Sequence, residues 1–387
     1  MSSRFRRRPA ALVRGGDPPD PPLACSPRDS VARTLAAWWR RLAAAGAVLA
    51  AVAWPAAAGA SQFTPRPLPS RPGDTYVNIA VSQTRVWVFA NARAKAPGSI
   101  VELNKATGRQ IATLRERQPG QATWVVAAYR NHPWTTIVPA DGIPALAEVS
   151  ATGAFTHRVN LAYELIPVIP IRPITGAATL AGSHMWAVTG SPDGKPTGLV
   201  QVSADSGART GSLPWPQALR GFRPVGMAVS GGQIWMTDGE CKVARVTTSS
   251  GQGRIFRLPS RDCRLGTLPA QISASDGHVW VAAHATLLAN DGSVAELNAR
   301  NGHLVRLISG RKHGWDLPSF VVAGPDLWVT SQTGGFNGNG SVTELSASTG
   351  RLVHLFSARR YHFDRPFAIA AFGSHVWVLN AHSVTKL

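Results

Sequence analysis

Along residues 76–387 apolar and polar positions alternate in short runs, each closed by a turn rich in Gly, Ser, Asn or Asp. This is the pattern of half-buried strands, with no long helical period. Ser341-Val342-Thr343-Glu344-Leu345 and Leu352-Val353-His354-Leu355-Phe356 flank the dipeptide Thr349-Gly350, which predicts a hairpin. The same kind of dipeptide recurs as Thr107-Gly108, Thr152-Gly153, Ser206-Gly207, Ser250-Gly251 and Asn301-Gly302. A second marker runs in phase with it. Trp87, Trp134, Trp186, Trp235, Trp280, Trp328 and Trp377 are 47, 52, 49, 45, 48 and 49 residues apart, most of them between apolar neighbours as in Val86-Trp87-Val88. Upstream of each lies another apolar run, such as Phe367-Ala368-Ile369-Ala370. One repeat therefore reads strand, Trp strand, strand, turn, strand. That is one propeller blade, and seven of them predict an all-β, seven-bladed β-propeller of four-stranded antiparallel blades.

The last repeat stops at Leu387, before its turn and outermost strand. An open ring would leave an unpaired edge, so a segment ahead of the first blade, roughly residues 62–74, is expected to supply the missing strand. Its prolines, Pro65, Pro67, Pro69 and Pro72, suit an outermost edge. The tryptophans themselves read as packing residues, each indole lying against one neighbouring blade and its apolar flanks against the other.

Stretches such as SVAELNARNGHLVRLIS and PVGMAVSGGQIWMTDGECKVARVTTSSGQGRIFRLP resemble the repeats of bacterial YVTN-type seven-bladed propellers and of the related streptogramin-lyase propellers. The resemblance spans residues 76–387. It implies the fold firmly and function only loosely, because such propellers serve as binding proteins, scaffolds and a few enzymes. The lyase propellers use histidines and a glutamate around a metal, and no such set aligns here. Nor is there the carboxylate cluster of the calcium-dependent lactonase propellers.

Residues 1–60 form an N-terminal extension of different character. Arg40-Arg41 precede an apolar run from Leu42 to Trp54, Pro55 breaks it, and Ala58-Gly59-Ala60 offers a small-residue cleavage site before Ser61. That layout is an export signal, too short for a permanent membrane span. Trp39-Arg40-Arg41-Leu42-Ala43 is a poor match to a twin-arginine signal. Residues 1–30, Arg- and Pro-rich, place the signal far from the first residue, as they would if translation began near Val31. The expected division is signal and extension over 1–60, a Pro-rich linker with the closing strand over 61–75, and the propeller over 76–387. The expected location is secreted or cell-envelope, outside the cytoplasmic membrane.

Export changes how the cysteines read. Cys241 falls in the loop after the Trp235 strand and Cys263 in the connector to the next blade, and both loops emerge on one face of a propeller. A disulfide there is expected to stabilise the fold by about 3 kcal/mol in the chain-entropy model, two free thiols being the alternative. Without a nearby pair of histidines the two cysteines form no recognised zinc ligand set.

Charge brings in the candidate chemistry. The chain of 387 residues carries a formal net charge of +19; residues 61–387 keep 31 basic and 18 acidic residues, a net charge of +13. Twelve of those 31 lie in the connectors between blades: Arg115, Arg117, Arg172, Arg220, Arg223, Arg261, Arg264, Arg311, Lys312, Arg359, Arg360 and Arg365. Five acids oppose them, Glu116, Glu164, Asp262, Asp316 and Asp364. Trp215, Phe222, Trp315, Tyr361 and Phe363 are interleaved as expected stacking platforms, so the connector face would draw an anionic polymer by field and stacking. A solubilising role for the arginines, favoured by a bias of 34 Arg to six Lys, is the bland alternative.

On the same face, the loops 283–292 and 331–340 are the longest after Trp strands and should form a ligand rim. Candidate ligand-binding residues are Arg223, Arg264, His284, Arg311, Gln332, Phe336, Asn337, Arg359, Arg360 and Asn380, with Asn91 and Asp238 at corresponding places. The Asp-Gly and Asn-Gly pairs read as turn formers, lacking the dense carboxylates of a calcium loop. His184, His278 and His375, each two residues before a repeat tryptophan, fall on the opposite face and read as structural or solvent-exposed. So does the polar slot that recurs in the third strand: Glu102, Glu148, Gln201, Arg245, Glu296, Glu344 and Lys386.

The expectation is a non-catalytic, monomeric binding or scaffold module without cofactor or bound metal. Its partner would be an anionic cell-envelope polymer or a protein, nucleic acid being disfavoured by export. The alternative is a metal-assisted lyase or hydrolase of the streptogramin-lyase or lactonase propeller type.

Overall fold

Each run of alternating residues becomes a strand, and the strands associate in sets of four. The computed structural model describes residues 65–69, 75–91, 98–115, 122–137, 145–160, 178–191, 195–238, 241–258, 271–275, 277–283, 292–315, 319–323, 325–332, 340–373 and 375–387. Seven antiparallel four-stranded sheets result. Blades 1 to 6 are continuous in sequence, between residues 75–115, 122–160, 178–214, 226–257, 272–309 and 319–357. Blade 7 takes three strands from residues 368–386, and its fourth is Arg66–Pro67, which pairs antiparallel with Val384 and Ser383. The ring is thus closed by an N-terminal strand within the stretch 62–74. The Leu68 N–H extends the pairing to the His382 carbonyl at 3.0 Å, and the Tyr76 hydroxyl donates to the Pro69 carbonyl at 2.7 Å. Two residues suffice because prolines leave few donors for a longer ladder.

The inner strands of successive blades contact one another all the way round, blade 7 meeting blade 1. Between six of the seven pairs of neighbouring blades, the tryptophan of one packs on the residues flanking the tryptophan of the next. Trp377 lies with Val86 and Val88 of blade 1, Trp134 with Met185 and Ala187 of blade 3, and Trp280 with Leu327 and Val329 of blade 6. Six of the seven indoles are buried and Trp328 is half-buried. An indole of that size removed from water contributes about 4 kcal/mol before entropic costs. The inner-strand residue opposite each tryptophan is small in most blades: Ala80, Ala127, Thr179, Ala228, Ser273 and Ala370. Blades converge toward the axis, and small side chains fit that taper.

Antiparallel order gives the ring two distinct ends. Connectors between blades and the loops after the Trp strands share the connector face; the first turn of each blade and its Thr-Gly-type turn share the turn face.

Candidate functional site

Two connectors of the connector face, and residues 310–315 of a third, fall within the described residues, and aromatic residues fix all three. Between blades 3 and 4, Phe222 and Leu219 are buried in the inter-blade core, and the Trp215 indole N–H donates to the Leu219 carbonyl at 3.2 Å. Between blades 5 and 6, Trp315 is fully buried and donates to Thr343 Oγ1 at 3.0 Å, with His313 stacked on it at 4.9 Å. Between blades 6 and 7, the single helical turn Ala358–Tyr361 ends at His362, whose φ of 52° turns the chain so that Phe363 enters the core. Tyr361 meets Phe356 edge-on at 5.0 Å and stacks on Phe363 at 5.9 Å.

This corrects the expectation of stacking platforms. Phe222, Trp315 and Phe363 are buried, and Trp215 and Tyr361 are half-buried. Apolar burial competes with ligand stacking for the same rings, and these connectors are short enough for the core to take them. The aromatics plug the connectors into the ring, which leaves the neighbouring cations facing outward.

Those cations are exposed: Arg220, Arg223, Lys312, Arg359, Arg360 and Arg365. Arg365 pairs with exposed Asp364 at 3.5 Å, and Arg360 lies over the Tyr361 ring at 5.6 Å from its centroid. Among the described residues, Arg220, Arg359 and Arg360 meet no carboxylate. Burial first, and then Lys312, holds the His313 imidazole below its ordinary pKa.

Of the other sequence candidates, Arg264, His284, Phe336 and Asn337 lie outside the described residues, as do the side chains of Arg311 and Asn91. Gln332 is half-buried where the blade 6 Trp strand ends. Asn380 is fully buried, its amide donating to Ser383 Oγ and Thr385 Oγ1, each at 3.1 Å, so it holds its own loop. Asp238 is likewise buried, accepting from the Lys242 backbone N–H at 3.0 Å and pairing with Lys242 Nζ at 3.2 Å. Half-buried Cys241 has a φ of 69°, and Cys263 lies outside the described residues.

In three blades the turn face pairs its charges. In each blade the third-strand polar residue lies directly across from the tryptophan. In three blades the residue two places before the tryptophan reaches the same spot. Arg85 Nε meets Glu102 at 2.7 Å; His132 and His157 Nδ1 hold the two oxygens of Glu148 at 2.8 and 2.5 Å; His278 Nδ1 meets Glu296 at 2.6 Å, with Arg306 on its other oxygen. Sequence reading found both columns but not that they meet. The signal that joins them is the antiparallel register, which sets a strand's first residue beside the diagonal neighbour of its tryptophan.

Among the described residues no group of three or more His, Cys, Asp or Glu side chains could hold a metal ion, and no helix is long and apolar enough to cross a membrane. No family model matches the chain, and no curated protein matches it. A solved structure does. The chain is similar to YCF48 bound to D1 peptide, with a TM-score of 0.52 at 12% identity, over 84% of this chain and 94% of that one. At that identity the likeness shows the fold alone. It is one of 996 solved chains that match, so the architecture is widely shared and activity has to be argued from the residues.

Proposed function

We propose that this chain is an exported β-propeller that works by binding, holding an anionic cell-envelope polymer or an anionic partner protein on its connector face. The observation that carries the reading is the contrast in charge pairing. Arg220, Arg359 and Arg360 stand exposed without a carboxylate among the described residues, on connectors whose aromatics are anchored in the core. On the turn face Glu102, Glu148 and Glu296 are each held by a cation or histidine. Exposed arginines on a rigid frame attract anions without first breaking internal pairs. That YCF48 binds a peptide supports a propeller of this architecture taking a macromolecular partner.

On this reading residues 1–60 direct export and a Cys241–Cys263 disulfide braces the connector face, as suits an oxidising compartment. The chain acts as a monomeric module, without a cofactor or a catalytic step.

The test is retention on dextran sulfate and on neutral dextran across a salt series, with and without chelator. Retention is expected on the sulfated matrix alone and indifferent to chelator. Arg359→Glu with Arg360→Glu should lower the slope of log affinity against log salt by roughly two. Equal retention on both matrices, or retention abolished by chelator, refutes the reading.

A further inference from the structure

The seam where blade 7 meets blade 1 departs from the repeat on the turn face. The first departure is in the Thr-Gly-type turn. After the third strand, one residue donates its backbone N–H to the first turn of its own blade: Lys105 to Thr84, Ala204 to Ser183, Thr248 to Gly232, Ala299 to Gly277 and Ala347 to Pro325. Three of these five are alanine, and blade 1 alone places a cation there. The second departure is Lys386, across from Trp377, in the slot that holds Glu102, Glu148, Glu296 and Glu344 in four other blades. The third is Phe372, paired with His375 at the end of its inner strand. Corresponding positions hold Ala181, Ser230 and Ser275 and, in blade 2, Tyr129, which is half-buried and donates its hydroxyl to Asp205 at 3.3 Å, whereas Phe372 is 44% exposed.

These residues converge because each blade's turn rests on the blade before it. Gly108, in the blade 1 turn, sits so close to Trp377 that an added Cβ would lie 3.4 Å from the indole. Lys105, three residues earlier, thereby lies over blade 7, its Nζ 4.5 Å from the centroid of the Phe372 ring. Lys105, His375 and Lys386 are all half-buried. Burial first, then Lys386, holds Lys105 below its ordinary pKa, and burial followed by Lys386 and Lys105 does the same to His375, so the three groups feel one another. Elsewhere on this face a histidine in the position of His375 meets a glutamate. Here the glutamate is replaced by a lysine and a second lysine is added.

We propose that Lys105, His375, Lys386 and the exposed Phe372 form a second binding site, on the turn face at the seam between blades 7 and 1, for an acidic peptide segment. The cations take carboxylates and the ring takes an adjacent apolar side chain. A second copy of this chain is disfavoured as the occupant because its own basic surface would meet this one.

The test uses the full chain with a neutral Gly-Ser tail after Leu387, so that a terminal carboxylate does not adjoin Lys386. The probes are a fluorescent Glu-Leu-Glu-Leu-Glu-Leu peptide and its Gln-Leu counterpart, read by anisotropy. Lys105→Ala and Lys386→Glu each install the residue type that other blades of this chain carry, so the ring keeps its packing and urea midpoints should hold. The Glu peptide is expected to bind at least about tenfold tighter than the Gln peptide, and the double variant to remove that preference. Phe372→Ser should weaken binding about threefold. Arg359→Glu with Arg360→Glu on the connector face should leave it unchanged, and carbodiimide cross-links should map to Lys105 or Lys386. Equal binding of the two peptides overturns the site. So does loss of binding in the connector-face variant with none in the seam variant, an outcome that would leave the connector-face reading standing.

Discussion

At the turn face the glycine of each Thr-Gly-type turn lies against the preceding blade, whereas the connector face is mixed: Gly310 is crowded by the Gly292 carbonyl and Gly340 by Pro366, but Gly221 turns the chain in open space. An added Cβ would lie 2.6 Å from the Arg115 carbonyl at Gly153, 2.2 Å from His157 at Gly207, 2.2 Å from Phe256 at Gly302 and 3.0 Å from Arg306 at Gly350. Gly221, in the connector between blades 3 and 4, meets nothing within 4 Å. Side-chain hydrogen bonds and ion pairs also join blades at the turn face. Arg245 reaches the Arg300 carbonyl of the next blade, Arg306 the Ser348 carbonyl at 2.6 Å, and Arg130 pairs with Asp205 at 2.7 Å. One end of the ring thus spends its polar groups on holding blades together. The other leaves Arg220, Arg359 and Arg360 to solvent while Asn380 and Asp238 hold their own loops, and the difference teaches where variation is tolerated.

Glycine replacement is the strongest way to break this contrast. Gly302 has φ +73° and Gly221 φ +80°, so alanine at either site bears the same left-handed strain, about 1 to 2 kcal/mol. Only at position 302 must the new methyl also displace the Phe256 ring, which adds about 2 kcal/mol of overpacking. Urea midpoints for Gly302→Ala and Gly221→Ala should therefore fall unequally, at unchanged slope. Equal losses would mean that the turn-face contact carries no stability.

Next in size comes the buried carboxylate. Glu296 is fully buried between His278 and Arg306, whose side chains keep 39% and 26% of their exposure. Removing a buried partner usually costs more than removing a surface one, but these two cations can rehydrate in place. Glu296→Ala should cost about 2 kcal/mol, less than for a fully enclosed pair. A loss below about 0.5 kcal/mol would place this pair with ordinary surface ion pairs.

The ring was legible in the sequence because its markers are local: tryptophan spacing and turn dipeptides repeat in every blade. The closing strand followed from counting, since Leu387 leaves blade 7 one strand short and Arg66–Pro67 fills it. The fate of the connector aromatics was not legible. Whether Trp315 faces a ligand or Thr343 depends on how the chain turns after Gly310, where the Trp315 N–H returns to the Gly310 carbonyl at 2.9 Å. No periodicity encodes that. The seam site was hidden for a related reason. Lys105 and Phe372 are 267 positions apart, and each is unremarkable until blade 1 is laid on blade 7.

The smallest expected effect separates the faces by the sign of their response to acid. At the connector face His313 is held below its ordinary pKa by burial and Lys312, so the unfolded chain takes the proton more readily than the native one. Its contribution to stability is full above the unfolded value near 6.5 and is lost as pH falls below it. At the turn face Glu344 is held above its ordinary pKa, by burial first and then by Asp326. That carboxylate destabilises the native state while ionised, and the penalty is relieved as pH falls through the raised native value toward the unfolded one near 4.5. Between about pH 7.5 and pH 5 the two groups therefore act in opposite directions. His313→Gln should shrink the acid-induced fall in urea midpoint relative to the native chain, and Glu344→Gln should enlarge it. If both variants move the fall the same way, the assignment of opposite titrations to the two faces is wrong.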